Sequence, residues 1–453
     1  MKFELKFTRQ CGAIYLTTDG ASWLNRAATA AVDKQLSRLI ALPFTVDNQI
    51  VYMATDLSSQ LRDIILNTHV PLVLPDFPIN WECFDDSLQN WCTRYDQDAN
   101  VDSLPAFESM DVTDCETPQW ERKRKRVKMT MQKFLHNFTM TVDKQPKEWA
   151  AYQYVRAHDM PPSCLSGIDF KCFGFAEHQN DYSLWLGSKG ANTPCHYDTY
   201  GVNVVVQAYG SKSWLLFPPE TPLQSTRIPY EESSVYCLEN FYAPEPDKLQ
   251  HYEQFQEHAY HCLLQPGDVL IVPRQWWHYV EAVSTSLSVN YWVPLKSDLD
   301  LTFDELLVKH VVESFVKGES NALKQYLLNP NQLDEIAESA SSLFSQFEKA
   351  VLKPNLDNKR KLWDTDYLTE SEVLQLLRSV RVHIRALDVM PKEAYSQLIT
   401  DNAKRHTQGR SERKEDAIIS STLEQLINSM CAPRCIASIK QEFFRRLKQM
   451  DRS

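Results

Sequence analysis

Thr193-Pro194-Cys195-His196-Tyr197-Asp198 holds two metal-binding side chains two residues apart. On a β-strand, residues i and i+2 point to one face, so His196 and Asp198 stand side by side there. A third ligand from another strand would complete a two-histidine, one-carboxylate set. That set leaves open positions on the metal and is the usual arrangement of non-haem Fe(II) oxygenases. The candidate third ligand is His278, in Trp276-Trp277-His278.

The flanking pattern supports strands. Ser183 to Gly187, Gly201 to Tyr209 and Ser213 to Phe217 read as strands, with Gly210 turning the second onto the third. Gln265-Pro266-Gly267-Asp268 is a turn signature. Val269 to Val272 is an apolar strand, and Ser286 to Val293 alternates as the last one. Most of the eleven glycines lie between Gly167 and Gly267, which makes the middle of the chain turn-rich. Many short strands around a metal fit a double-sheet jelly roll, or double-stranded β-helix, of the cupin kind.

Further residues fit that barrel. Asn203, Val205 and Gln207 face one way; Val204, Val206 and Ala208 face the other. Lys212 directly follows the Gly210 turn. A lysine pointing into a barrel is costly unless it meets an anion, and a dicarboxylate co-substrate would supply one. Thr193 lies three residues before His196, within reach of the same carboxylate. The polar face of the last strand carries Ser288, Asn290 and Trp292, with Asn290 placed to hydrogen-bond the co-substrate or metal-bound water. Alone, a His-x-Asp, a Trp-Trp-His or a lysine is more often packing or surface. Their joint spacing points to a metal centre.

Outside this core, residues 1–55 form an extension in which Ala27 to Leu42 reads as a helix closed by Pro43. Leu57 to Asn67 has apolar residues at helical spacing, and His69 to Pro75 reads as a short strand between prolines. Six basic residues, Arg122 to Arg126 and Lys128, form one basic patch. It reads either as a solvated strand or loop, or as an import signal or phosphate-contacting surface. Thr130 looks like the N-cap of a helix through Phe134 and Leu135. Residues 148–160 read as a helix stopped at Pro161-Pro162. A long aromatic and acidic insertion runs from Pro218-Pro219 to about His261.

Beyond Pro294, Leu301 to Val316, Leu333 to Leu352, Leu368 to Ile384 and Leu423 to Met450 have helical spacing, with Arg405 to Asp416 as a linker. The expected fold is a mainly β core with N-terminal α/β elements and an all-α C-terminal region. The divisions are 1–55 extension, 56–165 N-terminal α/β part, 166–296 barrel with the site, and 297–453 helical region.

The 453 residues carry a net charge of −11, which excludes whole-surface binding to nucleic acid. Eleven scattered cysteines without a dense framework read as reduced thiols. Cys431 and Cys435 have no His or Cys pair nearby to finish a zinc site. No membrane span or signal-peptide core is evident, so the expected location is the cytosol or nucleus.

The segment Ser183 to Val293 resembles JmjC-domain Fe(II)/2-oxoglutarate oxygenases. The resemblance rests on Leu184-Trp185-Leu186-Gly187, Thr193 to Asp198, Lys212-Ser213-Trp214-Leu215-Leu216-Phe217-Pro218-Pro219, Pro266-Gly267-Asp268-Val269-Leu270 and Pro273 to His278. Within the family it is most similar to the small JmjC-only hydroxylases, such as the asparaginyl hydroxylase that inhibits hypoxia-inducible factor. Gly190 to His196 and Thr226 to Tyr236 resemble a subgroup associated with a small heat-shock protein. The resemblance covers roughly residues 56 to 345 and returns weakly near Ser420 to Leu426.

The resemblance implies iron ligation by His196, Asp198 and His278. It implies that Thr193 and Lys212 hold the distal carboxylate of 2-oxoglutarate, and that Asn203 and Asn290 line its pocket. One of Tyr152 and Tyr154 matches a co-substrate-binding tyrosine. The implied cofactors are Fe(II), 2-oxoglutarate and O₂, with 2-oxoglutarate decarboxylated to succinate. The implied substrate is a protein side chain, and helical tails in related hydroxylases pair two chains; here packing against the barrel is the other reading.

Two further functions stay open. One is a scaffold that keeps the fold and binds a small heat-shock protein. The other is an RNA-directed hydroxylase using the basic run. The absence of zinc-finger spacing or a chromatin-reader module favours hydroxylation over histone demethylation.

Overall fold

A computed structural model describes residues 57–98, 105–111, 125–139, 148–176, 181–224, 234–237, 239–318, 361–405 and 421–450, with short pieces at 44–46, 49–51, 345 and 348. The helix expected at Ala27 to Leu42, all of that expected at Leu333 to Leu352 but residues 345 and 348, the start of the basic run and most of the 405–416 linker lie outside the described residues.

A hairpin of β1 (Phe44–Val46) and β2 (Gln49–Val51) comes first. Helix α1 (Leu57–Asn67) buries Leu61, Ile64 and Ile65, the residues whose spacing announced it. After β3 (Leu72–Leu74) comes α2 (Leu88–Asp98), which buries Trp91, Cys92 and Tyr95. Strands β4 (Ala106–Asp111) and β5 (Lys125–Lys128) pair antiparallel, so the described part of the basic run is an edge strand. Helix α3 (Met131–Thr139) is capped as expected by Thr130, whose hydroxyl accepts from Lys133 N at 3.1 Å. Asp96 of α2 adds acceptors for Met131 N and Gln132 N at 2.8 and 2.9 Å, which ties the two helices together.

Residues 148–160 are not a helix. Glu148–Arg156 forms strand β6, paired with β4 on one side and with β7 (Ser183–Gly187) on the other. A short apolar run cannot be assigned by periodicity alone, and here the aromatic and β-branched residues Trp149, Tyr152, Tyr154 and Val155 favour the pleated sheet.

The barrel follows: β8 (Asn192–Asp198), β9 (Val202–Tyr209), β10 (Lys212–Phe217) and β11 (Ser234–Tyr236). A short helix α4 (Leu249–Tyr252) precedes β12 (Tyr260–Leu264), so the expected insertion ends in the edge strand of the smaller sheet. Then come β13 (Val269–Val272), β14 (Trp277–Ala282) and β15 (Ser286–Val293). Gly210 makes the β9–β10 turn at φ +62°, and a Cβ there would lie 2.1 Å from Thr285 O.

The last region holds α5 (Asp298–Val316), α6 (Glu370–Ser379), β16 (Arg385–Ala386), α7 (Lys392–Ala403), α8 (Ser421–Met430) and α9 (Pro433–Met450). It is helical apart from β16, which adds to the edge of the larger sheet beside β3. Pro433, with no N–H to donate, starts α9 and splits the expected 423–450 helix in two. The second piece packs on α5: Phe444 lies 5.3 Å from Phe303, and Lys440 pairs with Asp304 at 3.0 Å.

Two antiparallel sheets result, ordered β11-β8-β14-β10-β12 and β16-β3-β13-β9-β15-β7-β6-β4-β5. The β9 alternation separates two cores. Val202, Val204 and Val206 join the core under α1, α2 and α3, whereas Val205 joins Trp214, Val280 and Leu270 between the sheets. A third core, with Phe217 and Tyr279 against Phe255, Tyr395 and Ile399, covers the outer face of the smaller sheet. The site residues project into the space between the sheets.

Candidate metal centre

Strand β8 brings His196 and Asp198 to one face, with His196 Nε2 3.8 Å from Asp198 Oδ1. His278 on β14 is the direct cross-strand partner of His196, and its Nε2 lies 3.9 Å from Asp198 Oδ2. All three residues are buried, and one ligand atom from each lies within 4.8 Å of the others. Two metal–ligand bonds of about 2.1 Å bridge gaps of this size.

Both imidazoles are fixed in the same way. His196 Nδ1 lies 2.8 Å from Pro194 O, and His278 Nδ1 lies 2.8 Å from Trp276 O. Donation from Nδ1 to a carbonyl leaves the Nε2 lone pair directed at the shared point, as a ligand requires. Burial, reinforced by His278, pushes His196 down to about 4, so the ring is neutral at pH 7. Trp214 stacks on His278 at 5.6 Å and Tyr236 lies 5.2 Å from His196.

A bulge explains Thr193. In a regular strand, residues three apart face opposite sides. Between β14 and β8, however, His278 pairs with His196 while Val280 pairs with Thr193, so β8 carries one extra residue. The bulge turns Thr193 to the face of His196. Gln275, in the turn before β14, takes φ +63° and donates its N–H to Asp198 O at 3.1 Å, which joins the two ligand strands at the same end.

Asn203 and Asn290 are in the site, linked by hydrogen bonds to Asp198. Asn203 Nδ2 donates to Asp198 Oδ2 at 3.3 Å, and Asn290 Nδ2 donates to Asn203 Oδ1 at 2.9 Å. Trp292 Nε1 donates to the same Asp198 Oδ2 at 2.9 Å, and Trp185 Nε1 donates to Asn290 Oδ1 at 2.7 Å. Both asparagines therefore act on the candidate carboxylate ligand. Trp185 is the residue that sequence reasoning missed; its position opposite Ser288 on a neighbouring strand gave no local signal.

Lys212 is 5% exposed. Its Nζ donates to Ser288 Oγ at 2.7 Å and to Trp185 O at 3.0 Å. Among the described residues no carboxylate pairs with it, and burial pushes it down to about 7. A buried ammonium held only by a hydroxyl and a carbonyl suits an incoming anion. The backbones of Tyr152 and Tyr154 stand opposite Gly187 and Trp185.

The cupin-like domain model matches residues 58–297. Human HSPB1-associated protein 1 is 31% identical over 301 residues, covering 62% of this chain and 60% of that protein. The zebrafish (Danio rerio) HSPB1-associated protein 1 homolog is 36% identical over 217 residues, covering 47% of each chain. Lysine-specific demethylase 8 of Xenopus tropicalis is 27% identical over 239 residues, covering 51% of this chain and 49% of that one. The chain thus spans about half to 60% of the length of these relatives. The match to more than half of the chain, over the two sheets and the His–Asp–His cluster, shows that the chain belongs to the cupin-like domain family, in its JmjC branch.

Proposed function

We propose that this protein is an Fe(II)- and 2-oxoglutarate-dependent oxygenase that hydroxylates a protein side chain. The observation that carries the reading is the convergence of two imidazole Nε2 atoms and one carboxylate beside a buried lysine with no carboxylate partner among the described residues. His196, Asp198 and His278 would hold the iron. Thr193 and Lys212 would hold the distal carboxylate of 2-oxoglutarate, and Asn203 would orient Asp198. Bound iron would supply the O₂ chemistry that oxidises a C–H bond, coupled to release of succinate and CO₂. The protein's own work is to fix the ligand rings, neutralise the co-substrate and keep one face of the site open.

A second reading has its own support. Relatives named HSPB1-associated protein 1 suggest a small heat-shock protein as partner, as substrate or as the cargo of a scaffold. The two readings part on turnover. Iron-loaded protein given 2-oxoglutarate and cell extract should form succinate, and His196→Ala should form none. Mass spectrometry of wild-type against His196→Ala cells should then find single-oxygen additions missing in the mutant. Absence of succinate with every extract would leave the scaffold reading.

A further inference from the structure

Trp185 sits at one end of a hydrogen-bond chain whose other end is the candidate carboxylate ligand. The order is Trp185 Nε1 to Asn290 Oδ1 at 2.7 Å, Asn290 Nδ2 to Asn203 Oδ1 at 2.9 Å, and Asn203 Nδ2 to Asp198 Oδ2 at 3.3 Å. The two asparagines are buried, so water does not substitute for a lost partner.

The two ends determine the polarity of the chain. An indole N–H only donates, and an ionised carboxylate only accepts. An asparagine amide works in either orientation, because its oxygen and nitrogen exchange places on a half-turn. With Trp185 present, Asn290 must offer oxygen to the indole and nitrogen to Asn203. Asn203 must then offer nitrogen to Asp198. Without the indole N–H, only the carboxylate end would hold that order, and the buried Asn290 oxygen would lose its donor and loosen the chain.

We infer that Trp185 is a positioning residue for the metal centre, with its indole N–H setting both amides and, through them, the Asp198 carboxylate. The inference rests on the metal reading of His196, Asp198 and His278. With Asn203 and Trp292 both on Oδ2, Oδ1 is left toward His196 Nε2. Trp185 also meets Lys212, but through its main-chain carbonyl, which no side-chain substitution removes. The indole N–H and the main-chain carbonyl therefore separate: the first serves the metal, and the second serves the anion site.

The test is Co(II) titration of apoprotein, followed by visible absorption of the bound metal. Trp185→Phe and Trp185→Leu both lack the N–H but differ in bulk. Each should weaken Co(II) binding by about 10-fold, the low end for an outer-shell partner. Affinity for 2-oxoglutarate at saturating Co(II) should stay within about twofold of wild type, because Lys212 keeps its carbonyl partner. Trp185→Phe combined with Asn290→Ala should bind Co(II) no more weakly than Asn290→Ala alone, since the effect passes through Asn290.

Wild-type affinity in Trp185→Phe would overturn the inference. So would a loss that grows from Phe to Leu, additive losses in the double variant, or an equal fall in 2-oxoglutarate affinity, which would indicate a packing role. If His196→Ala bound Co(II) as well as wild type does, the metal reading itself would fall, and this inference with it.

Discussion

His278 faces His196 across the β14–β8 pair with ring centroids 4.2 Å apart, and each imidazole is held by the carbonyl two residues before it. Main chain thus orients both histidines. The carboxylate is different: side chains orient Asp198, so the site is most sensitive to mutation there.

Trp292→Phe removes one of the two donors on Asp198 Oδ2 while keeping an aromatic ring beside Trp185. Metal affinity should fall by about 10- to 100-fold, the usual cost of a lost outer-shell partner. Calorimetric titration with Co(II) measures it. Unchanged affinity would mean that Asn203 alone suffices.

On the proposed function, Lys212 should couple co-substrate binding to pH. Burial pushes it down to about 7, so binding a dicarboxylate should take up a proton and weaken as pH rises above 7. Folded below its unfolded value of 10.5, this lysine stabilises the apoprotein fully only above 10.5; that contribution is lost as pH falls through 7. Lys212→Met should remove the pH slope, raise apoprotein stability and weaken 2-oxoglutarate binding by about 100-fold, the ~3 kcal/mol of a broken buried charge pair. Binding isotherms at a series of pH values, with thermal melts, check all three.

Glu305 on α5 titrates in the opposite sense. Burial raises it to about 7, Tyr200 donates to its Oε2, and Oε1 is buried without a partner among the described residues. The folded state then holds a proton that the unfolded chain releases near 4.5. Stability is fully present below pH 4.5 and is lost as pH rises through about 7. Glu305→Gln should flatten that slope in urea melts run between pH 5 and 8. A slope identical to wild type would show that Glu305 is ionised throughout.

The strand that carries His278 is braced from behind. Arg405, at the end of α7, makes two 2.9 Å bonds to Glu281 of β14. Its guanidinium also lies 4.5 Å from the Tyr242 ring. Arg405→Met should destabilise the fold by about 2 kcal/mol, the scale of charged hydrogen bonds lost from a partly buried carboxylate. Denaturant melts give the value; a change below about 0.5 kcal/mol would place the pair among ordinary surface bridges.

The candidate site was more legible than its support. His196, Asp198, His278 and Lys212 could be read because strand period and turn residues fix the face on which each lies. Thr193 had the wrong parity on paper, and only a bulge, which leaves no mark in a pattern of apolar residues, explains its place. Asn203 and Asn290 were expected at the co-substrate pocket; their hydrogen bonds toward Asp198 and to Trp185 on another strand carried no local signal. The β6 strand was misread because its nine residues are too short and too apolar for periodicity to decide. The tie from Arg405 to Glu281 spans 124 residues, beyond the reach of local pattern.

Anaerobic titration of the protein with Fe(II) and 2-oxoglutarate, followed by visible absorption, tests the central claim most directly. Wild-type protein should develop the charge-transfer band of a 2-oxo acid chelated to Fe(II). His196→Ala and Asp198→Ala should develop none, and Lys212→Met should need far more 2-oxoglutarate. No band in wild type, or an equal band in His196→Ala, would contradict the account.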